Sequence, residues 1–213
     1  MNILKKILAV AIAFGALSFA ASASAAIEPP DALIKRISQE VLDSAKSDTG
    51  IQKGNRNRIR ALVEAKIIPY VDFQRMTALA AGRYWRTATP EQQQRLSKEF
   101  RELLIYTYSG ALTEIRDQKL QMRPLRASPS ATEVIVYTRV IQPGREPIEL
   151  NYRLEKLDDG WKIYDVNVLG AWLVETYKGT FASEISKSGI DGLIKTLADK
   201  NRRLASGSVN KRK

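Results

Sequence analysis

TEVIVYTRVIQPGREPIELNYRLEKLDDGWKIYDVNVL, residues 132–169, decides the fold. Three β-branched or alternating segments, Thr132–Gln142, Pro147–Leu157 and Trp161–Leu169, are separated by two turn signals, Gln142-Pro143-Gly144-Arg145 and Asp158-Asp159-Gly160. In the middle segment Ile148, Leu150, Tyr152 and Leu154 point one way, and Glu149, Asn151, Arg153 and Glu155 the other. That alternation is the pattern of a strand with one buried face. Connections this short leave no room for crossover helices, so the strands form an antiparallel meander. Lys119–Arg126 precedes them as a further strand, for a sheet of about four.

Helical periodicity takes over on both sides. Asp31–Lys46 carries Leu33, Ile34, Ile37, Val41, Leu42 and Ala45 at three- and four-residue spacings after Pro29-Pro30. Beyond a Gly-containing linker, 47–54, a second helix carries Ile59, Leu62, Val63 and Ile67 up to Pro69. Tyr70–Trp85 supplies one short helix or two. Thr89 then caps the longest helix, with Pro90 at its first position, and the pattern runs on to about Ile115. Its middle, 103–108, is apolar or aromatic nearly all round, which calls for two apolar partners. After the strands come two more helices, one striped by Leu173, Tyr177, Phe181 and Ile185, the next by Ile190, Leu193, Ile194, Leu197 and Ala198, with Gly189 between them. Helices, strands, helices in that order make the class α+β, with helices packed on one face of a curved antiparallel sheet.

Composition removes most chemistry. The chain has 213 residues with no His and no Cys. A Ser-His-Asp triad, a thiolate nucleophile, a Cys/His zinc site and a disulfide are therefore all excluded. A hydrophobic fraction of 44% with 27% charged residues is that of a globular domain. Neither GxxxxGK[ST] nor GxGxxG nor Gly-x-Ser-x-Gly occurs. Asp158-Asp159 belongs to a turn. Asp165 and Asn167, read as sharing a face with Trp161 and Ile163, are expected to make structural hydrogen bonds. No catalytic constellation, cofactor site or metal site emerges.

The termini read separately from the domain. Lys5 and Lys6, the apolar run 7–19 and Ala23-Ser24-Ala25 have the layout of a cleaved signal peptide over residues 1–25. No later apolar stretch is long enough to span a bilayer. Of the formal charge of +11, Lys5 and Lys6 carry two and residues 200–213 carry six, which leaves +3 on 26–199. So modest an excess on the body argues against a nucleic-acid partner. Residues 26–201 are read as one domain, and 202–213 as a basic, disordered tail.

Large apolar side chains are spread over every element. Pattern alone does not separate a filled core from a shell around an elongated cavity, the usual form of a small-molecule site.

Ile68-Pro69-Tyr70-Val71-Asp72-Phe73 with Met76, Gly82-Arg83-Tyr84-Trp85-Arg86, Ala88-Thr89-Pro90-Glu91-Gln92, Gly160-Trp161-Lys162-Ile163-Tyr164-Asp165-Val166 and Lys187-Ser188-Gly189-Ile190-Asp191-Gly192-Leu193 resemble, in this order and spacing, the MlaC family, also called toluene-tolerance proteins. The resemblance runs from about Pro30 to Asn201. It implies a periplasmic carrier of the Mla (maintenance of lipid asymmetry) system, without cofactor or catalysis. Such a carrier shuttles glycerophospholipids between an outer-membrane lipoprotein complex and an inner-membrane ABC transporter complex. The acyl chains would be buried and the headgroup exposed, the chain would be a monomer, and membrane contact would be peripheral and transient. The apolar positions expected to line the lipid pocket are Ile68, Val71, Phe73, Met76, Leu104, Tyr108, Leu150, Tyr152, Val166, Val168, Trp172 and Tyr177. The competing expectation is a ligand-free periplasmic scaffold; a Lys- or carboxylate-based hydrolase ranks well behind. With no His to titrate near neutrality, release is expected to be driven by partners rather than by pH.

Overall fold

The computed structural model describes residues 27–206. The expected signal peptide, 1–25, and the last seven residues of the expected tail lie outside the described residues.

Helix α1 (Pro30–Ser47) starts with its proline in the first turn, where a missing N–H costs nothing. The expected linker contains a single turn of helix, α2 (Thr49–Gln52), because the Asp48 carboxylate accepts from the Gly50 and Ile51 N–H groups. Helix α3 (Arg56–Lys66) is capped by Asn55. After a 3₁₀ turn at Ile68–Tyr70, Asp72 caps α4 (Phe73–Ala81), and a second 3₁₀ segment covers Gly82–Thr87. Helix α5 (Pro90–Tyr108) opens with a full capping box between Thr89 and Gln92. It stops seven residues before Ile115, and Ser109–Glu114 continues as 3₁₀ helix.

The sheet has five strands in sequence order, all antiparallel: β1 (Lys119–Met122), β2 (Glu133–Gln142), β3 (Arg145–Leu157), β4 (Gly160–Val168) and β5 (Ala171–Trp172). The fifth strand is two residues long and was not expected. Helix α6 (Leu173–Ala205) is two helices, as the sequence predicts, because Gly189 adopts φ +70° and ψ −179°. The second half stays helical to Ala205, so the first four residues of the expected tail are helical.

Register assigns the faces. Val134–Leu154–Ile163, Val136–Tyr152–Val166, Met122–Thr138–Leu150–Val168 and Leu120–Val140–Ile148 are cross-strand rows on one face. Between Arg153 and Leu154 the β3–β4 pairing skips Tyr164, a bulge that puts one extra residue in β4. The strand therefore changes phase. Trp161 and Ile163 share their face with Val166 and Val168, while Asp165 and Asn167 pair with Arg153 and Asn151 on the other. The expectation that Asp165 and Asn167 accompany Trp161 and Ile163 is overturned by this one residue.

Four of the helices and the sheet enclose two principal cores. One joins α4, α5 and α6 through Met76, Leu96, Phe100, Leu103, Phe181 and Leu193; the other joins α1 to the sheet through Leu33, Ile34, Ile37, Val136, Leu154 and Ile163. Val71 and Val166 pack against both. A third, smaller cluster of Ala45, Ile51, Ile59 and Leu62 holds Leu112 and Ile115.

Candidate functional site

Along the inner face of the sheet, burial falls from one end to the other. The Val134–Leu154–Ile163 row is closed over, at 7%, 0% and 4% exposure. In the next row Tyr152 and Val166 are half-buried; in the third Met122, Leu150 and Val168 are; in the fourth all of Leu120, Val140 and Ile148 are. Water-facing apolar rows at the end of an otherwise covered sheet are the feature a packed scaffold would eliminate.

Helical side chains face this track. Val166 and Val168 pack against the helical core, as do Val71 and Tyr177. Leu104 is buried at 7%, and one turn on, at the end of α5, Tyr108 is 37% exposed. Its hydroxyl neighbours that of Tyr177, and burial pushes the Tyr177 phenol up to about 12. Tyr152 also sits at about 12, again through burial, with its hydroxyl beside Ser38 of α1 and Thr138 of β2. Both phenols are therefore neutral across the physiological range. The track is uncharged.

Seven of the twelve expected lining residues gather here: Val71, Leu104, Leu150, Tyr152, Val166, Val168 and Tyr177, with Tyr108 at the open end. Ile68 and Phe73 join Val71 in the wall of an outer cleft of about 410 Å³, edged by Lys98, Arg101 and Lys162. Met76, 1% exposed, lies inside the helical core. Trp172 pairs with Asn167, which places it on the opposite face, with the Arg153 guanidinium 3.9 Å above its ring. Leu120, Met122, Val140 and Ile148 belong to the track but were not expected in it. The alternation in 132–157 and the Pro143-Gly144 turn together carried the signal for Val140 and Ile148, since that turn sets them opposite each other.

Asp165 serves the fold. Its side chain is fully buried; Oδ1 accepts from the Val166 and Val174 N–H groups at 2.9 and 3.1 Å, and Oδ2 meets Arg153 at 3.1 Å. Trp172 cannot cap α6 with its side chain, and the Asp165 carboxylate does so from the neighbouring strand. Burial raises its pKa despite those partners. Asp165→Ala is expected to lower stability by about 1–3 kcal/mol, with Asp165→Asn, which keeps an Oδ1 acceptor, recovering most of that. Urea midpoints of the two variants decide it, and equal losses would refute the capping role.

Among the described residues no three His, Cys, Asp or Glu side chains are arranged to hold a metal ion, and no helix is long and apolar enough to cross a membrane. Asp158 and Asp159 form the β3–β4 turn, with Asp159 3.1 Å from Lys162.

The sequence model of the MlaC protein family matches residues 35–199. The intermembrane phospholipid transport system binding protein MlaC of Haemophilus influenzae is 26% identical over 168 residues, 78% of each chain. Toluene tolerance protein ttg2D of Pseudomonas putida is 27% identical over 167 residues, covering 78% of this chain and 77% of that protein. A solved structure of the phospholipid-binding protein from Ralstonia solanacearum, in complex with a phospholipid, superposes with a TM-score of 0.80 at 44% identity. That likeness covers 84% of this chain and 99% of the Ralstonia chain.

Proposed function

Since this chain belongs to the MlaC family, we propose that it binds phospholipids and carries them between membranes, with the acyl chains along the apolar track and the headgroup in water. The observation that carries this reading is the half-buried apolar inner face of the sheet, opposite α5 and α6, in a chain 44% identical to a protein solved with a phospholipid bound. Chains lie between the α1–sheet core and the helical core, which part where Val71 and Val166 now bridge them. Each CH₂ withdrawn from water contributes about 0.8 kcal/mol. Two acyl chains thus supply ample affinity with no contact to the headgroup.

The carrier works in the periplasm, exported by its N-terminal segment, and exchanges lipid with the outer-membrane lipoprotein complex and the inner-membrane ABC transporter complex of the Mla system. It does no chemistry on its cargo. Its affinity comes from burial, and nothing in an uncharged track activates an ester bond.

Native mass spectrometry of protein purified without detergent, followed by organic extraction, tests the reading. A bound mass equal to a phospholipid, with matching fatty acids in the extract, is expected. A bare-protein mass together with no uptake from liposomes would replace it with the ligand-free scaffold.

A further inference from the structure

Residues 48–58 and 199–206 are far apart in the chain and adjacent in the fold. The Arg56 guanidinium donates to the Ala205 carbonyl, joining the start of α3 to the last turn of α6. Together the two segments hold six cations, Lys53, Arg56, Arg58, Lys200, Arg202 and Arg203, and two carboxylates. All six cations are exposed. The carboxylates are engaged: Asp48 pairs with Arg58, and Asp199 with Lys195 and Arg202. Lys53, Arg56 and Lys200 have no carboxylate partner among the described residues.

Local stability does not explain this concentration. The first turn of α3 contains Arg56 and Arg58 and no acid. The positive end of a helix dipole favours the reverse. Placing Arg56 against the C-terminal carbonyl of α6 offsets part of that cost for one cation only. Gathering the rest at one place adds like-charge repulsion, which an anionic partner would relieve.

We propose that this surface docks the protein onto an anionic bilayer. It adjoins the 3₁₀ segment after α5, since Ile51 and Ile59 of α2 and α3 pack with Leu112 and Ile115. Docking therefore brings the Tyr108 end of the apolar track toward the membrane. The contact is electrostatic and peripheral, weakening with salt. Three further cations, Lys211, Arg212 and Lys213, follow α6 in the sequence. The body of the site is the folded pair of segments, and its second segment lies almost wholly beyond residue 199, where the family match ends. Docking and lipid carriage are separable, because neither needs the residues of the other.

Flotation with extruded vesicles is the test, using phosphatidylcholine alone and phosphatidylcholine doped with phosphatidylglycerol. The protein is expected to float only with the doped vesicles, and to be released as salt is raised. Each neutralised cation weakens binding roughly fivefold, so Lys53→Gln/Lys200→Gln/Arg203→Gln, which leaves the Arg56 link intact, loses most of it. Circular dichroism and lipid loading of that variant stay unchanged. Three results overturn the proposal: equal flotation with both vesicles, flotation unaffected by the three substitutions, or flotation lost only when residues 207–213 are deleted. Retention by an acidic protein column without any vesicle flotation would reassign the surface to a protein partner.

Discussion

The double variant Leu150→Glu/Val168→Glu is expected to purify folded and empty, while the unaltered protein carries phospholipid. The two positions face each other across β3 and β4, and both are half-buried on the inner face of the sheet. Without ligand their carboxylates can reach water at the open end of the track, so folding pays little. With acyl chains in place both would be desolvated without a partner, at a cost of several kcal/mol each. That exceeds what a handful of methylenes returns. Native mass spectrometry reads the bound mass and near-ultraviolet circular dichroism reads the fold. A folded variant that still carries a full complement of lipid would move the acyl chains away from these rows.

A second large effect concerns stability alone. Phe100 is fully buried in α5, with its ring 4.9 Å from Tyr177 and 5.0 Å from Phe181 in edge-to-face contacts. The three rings hold α5 against the first half of α6. Phe100→Ala removes a whole ring from a site that rigid helices on both sides cannot close, and should cost about 3–5 kcal/mol. For a domain of this size that lowers the melting temperature by roughly 10 °C. Calorimetry checks it. A loss under about 1 kcal/mol would mean that the helices collapse into the space.

How far the sequence could be read follows from which interactions act over short stretches of chain. The Thr89 cap, Pro90, the Pro143-Gly144 and Asp158-Asp159-Gly160 turns and the break at Gly189 are local, and each lies where its residues predict. The α+β class and the antiparallel order followed from the same turns. Features set by distant partners were hidden. Tyr164 carries no mark of a bulge, because the slip is a property of how β4 meets β3. Without it, period-two counting sends Asp165 and Asn167 to the wrong face. Trp172 was assigned to the pocket as a large apolar residue, yet the two-residue strand containing it pairs with Asn167 and turns it outward. Met76 satisfies the same apolar criterion and lies in the solid part of the helical core. Periodicity locates a buried face, but it does not distinguish the part of that face which is covered from the part left open.

The skipped residue in β4 also determines which kinds of inherited change this protein can absorb. Exchanging the side chain at position 164 alters its contacts with Glu133 and Arg75 and leaves the reading frame of the strand intact. Losing Tyr164 itself would leave that frame intact as well, because Ile163 and Asp165 already oppose the consecutive residues Leu154 and Arg153. What would turn Val166 and Val168 out of the apolar track, swing Asp165 and Asn167 into it, and take the carboxylate away from the start of α6 is regular pairing of every residue of β4 at its present length. Lineages that retain this lining can therefore keep the bulge or lose its extra residue, but cannot straighten the strand at its present length.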